Sequence, residues 1–273
     1  MPSVGRQGIL VPVTGAHSEY DAFSEIYAVW TDTAPSAQAN RGFYVDAYLQ
    51  AAGLVVELGV GDGRIAVEAA RRGRDVHGVD LSAAMLELCR QRAAAAGVSA
   101  RVHLQQADFR SFTLDTPASL ISLPYHSIGH LRSLDEKRAA ITHVFNQLRP
   151  GGVFIFDDFV MTPEMAAHMR RVQLRADYTT PDGANTLLWV TSLVDEAAQS
   201  IRVVTWEDRL DADGLLAQRK YRRLTLSWLE PAQSQELLTG AGFIIDACHG
   251  SFAGEPFAAA TAREQIWIAH RPA

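Results

Sequence analysis

Strand-like and helix-like segments alternate along the middle of the chain, and this alternation restricts the fold more than any other feature. The apolar runs LVVELG, DVHGVD, ARVHLQQAD, ASLISLPY and GGVFIFDDFV take turns with helical patterns over residues 64–72, 83–96 and 134–148. Strands and helices that alternate with short loops form parallel sheets joined by right-handed crossovers. The pattern therefore predicts an α/β domain with a doubly wound, mostly parallel sheet.

The alternation of strands and helices ends after the fifth strand. Three strand-like runs, NTLLWVTSLVD, SIRVVTWEDRL and AQRKYRRLTLSWL, are joined by turns such as DADG and predict an antiparallel meander. A helical pattern over residues 231–241 precedes FIIDACHG and EQIWIAHR, which have no helix between them and are expected to pair antiparallel. We therefore expect seven strands in the main sheet and an antiparallel insertion after the fifth.

The length of 273 residues favours one core with an elaboration over two domains. We expect an N-terminal helical lid at residues 1–50 and a core formed by residues 51–160 and 231–273. The strand insertion at residues 161–230 is expected to cover a substrate pocket.

Composition and charge narrow the range of functions. The hydrophobic fraction of 48% is ordinary for a globular protein, and no apolar run approaches the roughly 20 residues that a membrane-spanning helix needs. Cys89 and Cys248 are too few for a disulfide framework and suit a reducing compartment. A net charge of −6 disfavours a nucleic-acid surface. We expect a cytoplasmic protein that acts on small molecules.

Three alternate glycines, Gly59, Gly61 and Gly63, follow the first strand in the segment VVELGVGDGRIAV. A turn without side chains lets a ligand approach the main chain, whose N–H groups lie at the positive end of the following helix. Glu57 precedes this turn near the end of the strand. The segment predicts a site for a polar or charged group, although such glycines can also serve only to pack the helix against the strand.

Two acidic residues extend this site across neighbouring strands. Asp80 ends the second strand at the distance from the glycine turn where doubly wound folds place an acid that binds ribose hydroxyls. Ser82 is better placed than Asp80 to cap the next helix. Asp108, with Phe109 beside it, ends the third strand, and this pair suits an adenine ring. We expect one ligand to lie along all three strand ends.

Taken together, these segments resemble one family. VVELGVGDGRIAV, VHGVDLSAAML, QQADFRSF and LRPGGVFIFDDF, followed by an antiparallel last pair of strands, are similar to the class I S-adenosylmethionine (SAM)-dependent methyltransferases. The resemblance implies that the glycine turn surrounds the methionine part of SAM, while the second and third strand ends hold the ribose and the adenine. The implied SAM-binding residues are Tyr20, Glu57, Gly59, Gly61, Gly63, Asp80, Leu81, Asp108, Phe109 and Leu123.

NAD is the competing cofactor, since it also uses a glycine turn and a ribose acid. A G-x-G-x-x-G pattern that starts at Gly59 fails at Arg64, whereas the same pattern from Gly61 ends at Ala66, which is permitted. Asp108 and the antiparallel last pair of strands favour SAM. An NAD-binding oxidoreductase is kept as a remote alternative.

The fourth strand ends in PYHSIGHL, a segment that helps to line the substrate pocket in the resembled family. Methyl transfer to a hydroxyl benefits from a general base, whereas an amine need only arrive neutral. His126 is the candidate base, His130 a candidate for orienting the substrate, and Tyr125 a candidate substrate contact. Loop histidines are also often structural. No carboxylate follows at a spacing typical of a metal site, so we expect no metal.

An aromatic helix at residues 19–30 is the second candidate part of the site. Tyr20, Phe23, Tyr27 and Trp30 fall on one helical face. Such a face usually packs into a core, which we expect for Phe23. The segment YDAFSEIYAVW also resembles the lid of small-molecule methyltransferases. Tyr20 and Tyr27 are therefore expected to close over SAM and substrate and to exclude water.

Two further positions are candidate substrate contacts. Asp158, which ends the fifth strand together with Asp157, is a candidate partner for an amine or hydroxyl, although both carboxylates also fit solvated strand ends. Trp206 is a candidate for the roof of the pocket. The period-2 alternation around it also fits a sheet with one face in water.

The sequence thus predicts a SAM-dependent methyltransferase that acts on a small molecule, with an amine nitrogen of a bacterial specialised metabolite as the first choice. The architecture loosely resembles enzymes that modify amino sugars and lincosamide-like compounds. The alternatives are O- or C-methylation with His126 as base, and a protein that binds SAM without transferring its methyl group. A homo-oligomer is compatible with the strand insertion.

Overall fold

Two β-sheets and the helices around them make up the part of the chain that the structure, a computed structural model, describes: residues 19–32 and 35–273. The strands there are β1 (Val55–Leu58), β2 (Val76–Asp80), β3 (Val102–Gln106), β4 (Ala118–Leu123), β5 (Leu148–Phe159), β6 (Gln173–Thr179), β7 (Asn185–Asp195), β8 (Ser200–Leu210), β9 (Leu216–Ser227), β10 (Ile244–His249) and β11 (Glu264–His270). The α-helices are α1 (Glu19–Asp32), α2 (Pro35–Gln50), α3 (Ala66–Arg71), α4 (Ala83–Ala95), α5 (Leu134–Gln147), α6 (Pro163–Met169) and α7 (Pro231–Gly240). Among these described helices, none is at once long and apolar enough to cross a membrane.

The main sheet has seven strands in the order β10–β11–β5–β4–β1–β2–β3. Strands β1 to β5 pair parallel, whereas β11 pairs antiparallel with both β5 and β10. The central strands β1 and β4 are buried along their whole length, which explains why their sequences are nearly continuous apolar runs. The predicted fold class is confirmed.

Helices cover both faces of the main sheet. On one face α5 and α7 pack onto it through residues such as Ile141 and Leu237, and on the other α2, α3 and α4 do so through Tyr48, Val67 and Leu86. The direction of winding reverses at β1, because β2 lies on one side of it and β4 on the other. Doubly wound sheets bind ligands at this point, outside the carboxyl ends of the strands.

The second sheet is fully antiparallel, in the order β6–β7–β8–β9. The sequence predicts β7, β8 and β9, but neither β6 nor helix α6. Strand β6 has the sequence QLRADYT and lies at the edge of the sheet, and none of its residues is fully buried. The apolar alternation that marks a half-buried strand is therefore missing from it.

Helix α2 is also absent from the sequence-based prediction. Its sequence, PSAQANRGFYVDAYLQ, contains Gly42 and shows little apolar periodicity. Nevertheless, Tyr44 and Tyr48 are fully buried in the cluster beneath the main sheet. The predicted lid region thus contains a helix that packs into the core. The division of the chain into lid, core and insertion stays a prediction, and residues 1–18 lie outside the described part of the chain.

Helix α1 lies against the second sheet. Phe23, as predicted, and Ile26 are buried among side chains of that sheet. The guanidinium of Arg222 in β9 is buried as well, and its Nε donates to the carbonyl oxygen of Ala22 at 2.5 Å. The same guanidinium forms an ion pair with Glu25 at 2.7 Å. These contacts hold α1 over the carboxyl end of the main sheet.

The glycine turn gives a stability prediction. Gly63 and Gly73 both have φ in the left-handed region, +79° and +91°, but a Cβ on Gly63 would lie 2.4 Å from the Sγ of Cys89, whereas a Cβ on Gly73 would meet nothing within 4 Å. We expect Gly63→Ala to lower the free energy of unfolding in urea by about 1–3 kcal/mol more than Gly73→Ala, because only the first adds a collision in the core. Equal losses in the two variants would contradict the proposed packing.

Candidate active site

A cavity of about 370 Å³ lies at the carboxyl ends of the central strands of the main sheet. Ten residues singled out from the sequence line it: Tyr27, Glu57, Gly59, Gly61, Asp80, Leu81, Asp108, Phe109, Tyr125 and His130. Thr225 of β9 contributes from the second sheet, so the cavity lies between the strand ends on one side and α1 and β9 on the other. Most of the site residues predicted from the sequence therefore lie around one cavity.

The three glycines of the turn have different surroundings: two line the cavity and the third packs against the core. Gly59 and Gly61, with φ of +64° and +56°, line the cavity in the left-handed backbone region. Gly63 does not line it, because its Cα faces Cys89 of helix α4. The predicted contact of Gly63 with SAM therefore has no support in the cavity lining, and the residue serves close packing of helix α4 on the turn.

Glu57 is the most deeply buried acid of the cavity, with 2% of its surface exposed. Burial raises the pKa of Glu57 to about 8, although nearby Arg64 opposes this shift. Its Oε2 atom is buried and has no hydrogen-bond partner among the described residues. A carboxylate oxygen in this state favours a cationic ligand. The ammonium group of SAM fits this requirement.

Asp80 holds the glycine turn and the start of α4 together. Its Oδ2 accepts a hydrogen bond from the N–H of Gly61 and its Oδ1 one from the N–H of Ser82, both at 2.8 Å. Ser82 itself caps α4 by accepting from the N–H of Met85, as the sequence predicts. Burial raises the pKa of Asp80, while these hydrogen bonds oppose the shift. Each carboxylate oxygen keeps acceptor capacity for a ligand hydroxyl.

Asp108 lines the cavity but already has a partner that the sequence did not indicate. Arg110 donates to both carboxylate oxygens, through Nε at 3.0 and 3.1 Å and through Nη2 at 2.6 Å. Burial opposes ionisation, yet the hydrogen bonds from Arg110 hold the pKa of Asp108 below its usual value. Arg110 also contacts Glu136 at 2.8 Å. A ligand amino group at this end would share Asp108 with Arg110.

The loop after β4 has an unusual backbone. Tyr125 and His126 both have a φ of 58°, a left-handed conformation that is uncommon for residues other than glycine and costs free energy. The N–H groups of both residues donate to the carboxylate of Asp157, at 2.9 and 3.1 Å. Tyr44 and Asn40 of α2 donate to the same carboxylate, at 2.6 and 3.2 Å. Asp157, with no exposed surface, therefore fixes this loop.

Arg64 connects that network to the cavity wall. Its guanidinium lies 4.6 Å from the centre of the Tyr125 ring, which is within range of a cation–π interaction. Asn40 accepts from Nη2 of Arg64 at 2.6 Å, and the carbonyl oxygen of Ala37 accepts from Nη1 at 2.8 Å. In the sequence Arg64 stands out only as a break in a dinucleotide motif, because its contacts come from a helix that the sequence pattern does not reveal.

The two candidate histidines have different surroundings. His130 lines the cavity, and burial, with Lys137 and Arg132 nearby, lowers its pKa to about 4. His126 is not among the lining residues; its Nδ1 lies 3.6 Å from Asp157 and its Nε2 lies 3.8 Å from Glu264. Burial lowers the pKa of His126, against the effect of Asp157. The role of His126 as base stays a prediction that the cavity lining does not support.

Other predicted positions also lie outside the lining. Leu123 is buried in the core of the main sheet. The fully buried carboxylate of Asp158 accepts hydrogen bonds from the N–H groups of Phe159 and Leu229, at 2.9 and 2.8 Å, so it connects backbone segments. Trp206 stacks on another tryptophan of the second sheet, with ring centres 6.2 Å apart. The predicted substrate contacts at Asp158 and Trp206 therefore lack support from the geometry.

The two predicted lid tyrosines differ in what the structure describes. Tyr27 lines the cavity, and a Cβ on Gly61 would lie 3.7 Å from its hydroxyl oxygen. Burial raises the pKa of Tyr27, so its hydroxyl is neutral and can donate a hydrogen bond. The side chain of Tyr20 lies outside the described residues, and its role stays a prediction.

Comparisons with known proteins agree with this geometry. Residues 55–152 match the profile of a family described as a methyltransferase domain. The chain is 24% identical over 217 residues to the cypemycin N-terminal methyltransferase of a Streptomyces species, which is 80% of this chain and 82% of that protein. It is 27% identical over 139 residues to YqeM of Bacillus subtilis, of which it spans only 54%, or 50% of this chain.

Solved structures show the same fold. The CcbJ methyltransferase from Streptomyces caelestis superposes with a TM-score of 0.76 at 24% identity, covering 95% of this chain and 100% of that chain. CalS10, described as an amino pentose methyltransferase from Micromonospora echinaspora and solved with bound SAM, superposes with a TM-score of 0.64 at 21% identity, covering 93% of this chain and 97% of that one.

The seven-stranded sheet and its acid-lined cavity define the class I methyltransferase fold. The chain carries a methyltransferase domain of the SAM-dependent type, with its family match at residues 55–152. The predicted family, enzyme class and cofactor are confirmed at the level of this domain.

Asp157 gives a prediction for the cavity wall. We expect Asp157→Asn to lower the free energy of unfolding in urea by about 1–3 kcal/mol, because an amide cannot accept all four hydrogen bonds and leaves a buried donor unpaired. The exposed Asp195, at the end of β7, provides the control, and Asp195→Asn should change stability by less than about 0.5 kcal/mol. A loss of similar size in both variants would show that Asp157 does not fix the loop.

Proposed function

We propose that this protein transfers the methyl group of SAM to an amine nitrogen of a small molecule, a bacterial specialised metabolite. The observation that carries this proposal is the cavity, which lies between the strand ends of the SAM-dependent fold and a roof formed by α1 and β9. A volume of about 370 Å³ is within the range of small-molecule sites. The net charge of −6 gives no support for a nucleic-acid substrate.

The residues fit SAM from one end to the other. Glu57 would take the ammonium group and Asp80 the ribose hydroxyls, because each offers free acceptor capacity in the cavity. Asp108 and Phe109 would take the adenine as acceptor and apolar neighbour. When bound, SAM supplies a methyl group on a positively charged sulfur. The acids of the lining favour this charge electrostatically.

The other side of the cavity would receive the acceptor. Tyr27 and Tyr125 also line the cavity, and Tyr125 is fixed by its backbone and by Arg64. A rigid wall suits in-line methyl transfer, since the nucleophile must be held close to the methyl group and on the axis of the bond that breaks. Helix α1 would limit the access of water to the reacting groups.

Nitrogen is favoured over oxygen because the histidine of the lining is a weak base. His130, with a pKa of about 4, takes up protons poorly near neutral pH. His126 is turned towards Asp157 and Glu264 instead. A hydroxyl acceptor would need such a base, whereas a neutral amine carries its own lone pair. O- or C-methylation with His126 as base is the alternative.

The names of the relatives support an amine as well. One relative is described as an N-terminal methyltransferase and one structural neighbour as an amino pentose methyltransferase. We extend this chemistry, and not either substrate, to the present chain. A cytoplasmic location and a homo-oligomer stay predictions.

Glu57 gives a test of the SAM orientation. At pH 7 most of Glu57 is protonated, since its pKa is about 8, and pairing with an ammonium group would favour the ionised form. We therefore expect SAM binding at pH 7 to release about one proton per chain, measured by calorimetry in buffers of different ionisation enthalpy. Glu57→Gln should abolish this release. Glu68→Gln, a change at a half-buried residue of α3 outside the cavity lining, should keep it. Release that persists in Glu57→Gln would place the ammonium elsewhere.

The acceptor is tested by a product assay. The purified chain is incubated with SAM and matched pairs of amino sugars and their hydroxyl counterparts, and mass spectrometry follows methylated product and demethylated SAM. We expect methylation of the amine member of a pair. Methylation of the hydroxyl member would favour the alternative, and SAM binding without any product would indicate a binding protein. Parallel calorimetry with NAD should show no binding.

A further inference from the structure

A cluster of polar side chains next to Tyr125 lies outside the cavity lining. It consists of His126, Asp157 at the end of β5 and Glu264 at the start of β11. One ring nitrogen of His126 and one oxygen of each carboxylate all lie within 4.8 Å of one another. The cluster thus joins a loop and two neighbouring antiparallel strands at one point.

Two buried atoms of this cluster have no hydrogen-bond partner among the described residues: Nδ1 of His126 and Oε2 of Glu264. A buried polar atom without a partner costs free energy, and a buried carboxylate costs more. The carboxylate of Asp157 differs from these two atoms, because it accepts four hydrogen bonds. In the tautomer protonated at Nε2, Nδ1 of His126 offers a lone pair, as Oε2 of Glu264 does, and a metal ion accepts both.

The basic side chains nearby already have other partners. Lys137 donates to the carbonyl oxygen of Ile128 at 2.9 Å and to Ser227 at 2.8 Å. Arg64 donates to α2 and stacks on Tyr125. Three carboxylates, two of the cluster and that of Asp158 with an oxygen 3.9 Å from Nδ1 of His126, thus surround one imidazole. Their oxygens are the kind of donor that a metal ion at this point would bind.

We propose that His126, Asp157 and Glu264 bind one divalent transition-metal ion, for which Zn²⁺ is the reference. An imidazole nitrogen together with carboxylate oxygens is a donor set that Zn²⁺ accepts. Bonds of about 2.0–2.2 Å place two ligands of one ion roughly 3.2–3.6 Å apart. Nδ1 of His126 and Oδ2 of Asp157 are already 3.6 Å apart. The ring nitrogen nearest to Glu264 is Nε2, at 3.8 Å, so the side chain of Glu264 must move towards Nδ1 to complete the set.

The role of such an ion is structural. It would tie β11 to the left-handed loop that carries Tyr125, and so add a second fixed point beside the hydrogen bonds to Asp157. The site lies outside the cavity lining, so the ion takes no part in methyl transfer. It also accounts for the position of His126, whose ring nitrogens lie 3.6 Å from Asp157 and 3.8 Å from Glu264.

Calorimetric titration of the full, chelator-treated chain with ZnCl₂ tests this site. We expect one Zn²⁺ per chain in the wild type, with an affinity at least tenfold weaker in Glu264→Gln and in His126→Gln. Asp246→Asn is the matched control, because Asp246 pairs with His270 at 2.8 Å on the surface and thus offers an exposed histidine–carboxylate pair. Its affinity should stay within twofold of the wild type.

Two results would overturn the proposal. The first is a wild-type chain that binds no Zn²⁺, which needs no variant for its interpretation. The second is Zn²⁺ binding that Glu264→Gln leaves unchanged or that Asp246→Asn removes, since either would place the ion at another site. Circular dichroism of each variant shows that the chain is folded before the titration.

Discussion

The carboxylate of Asp157 is the interaction on which the site depends. It lies at the end of β5, without exposed surface, and accepts hydrogen bonds from helix α2 and from two consecutive backbone N–H groups. Two left-handed residues in a row are strained and persist only where their surroundings fix them. Asp157 supplies that restraint, and Asn40 extends it to Arg64 and the Tyr125 ring. One buried acid thus sets one wall of the cavity.

Acidic side chains define another part of the cavity lining. Glu57, Asp80 and Asp108 stand at the ends of three adjacent parallel strands, and the low exposure of Glu57 makes its carboxylate more basic than usual. A sheet that places acids side by side stores electrostatic repulsion, which a cationic ligand relieves. Arg110 offsets the charge of Asp108 by pairing with it, whereas Glu57 keeps an oxygen without a partner among the described residues. The site is therefore prepared for a ligand that is positive at one end.

The second sheet completes the enclosure from outside the main fold. Its strand β9 brings Thr225 to the cavity and holds α1 through the buried guanidinium of Arg222. Helix α1, held by the buried guanidinium of Arg222 and by Phe23 and Ile26, keeps a fixed position over the strand ends. Methyl transfer benefits from such a fixed enclosure, because geometry and exclusion of water matter more than acid–base chemistry when the acceptor is an amine.

The sequence by itself determined the strand–helix alternation, the glycine turn and the acids Asp80 and Asp108, because these depend on local periodicity and on the rule that parallel strands align their carboxyl ends. Only the tertiary structure decided which way His126 points, that Asp158 is enclosed by backbone, and that Arg110 covers Asp108. Those outcomes rest on loop conformation and on partners far apart in the chain, such as Tyr44 and Asp157, 113 residues apart. No periodicity encodes contacts of that range, since they form only when separate elements pack together.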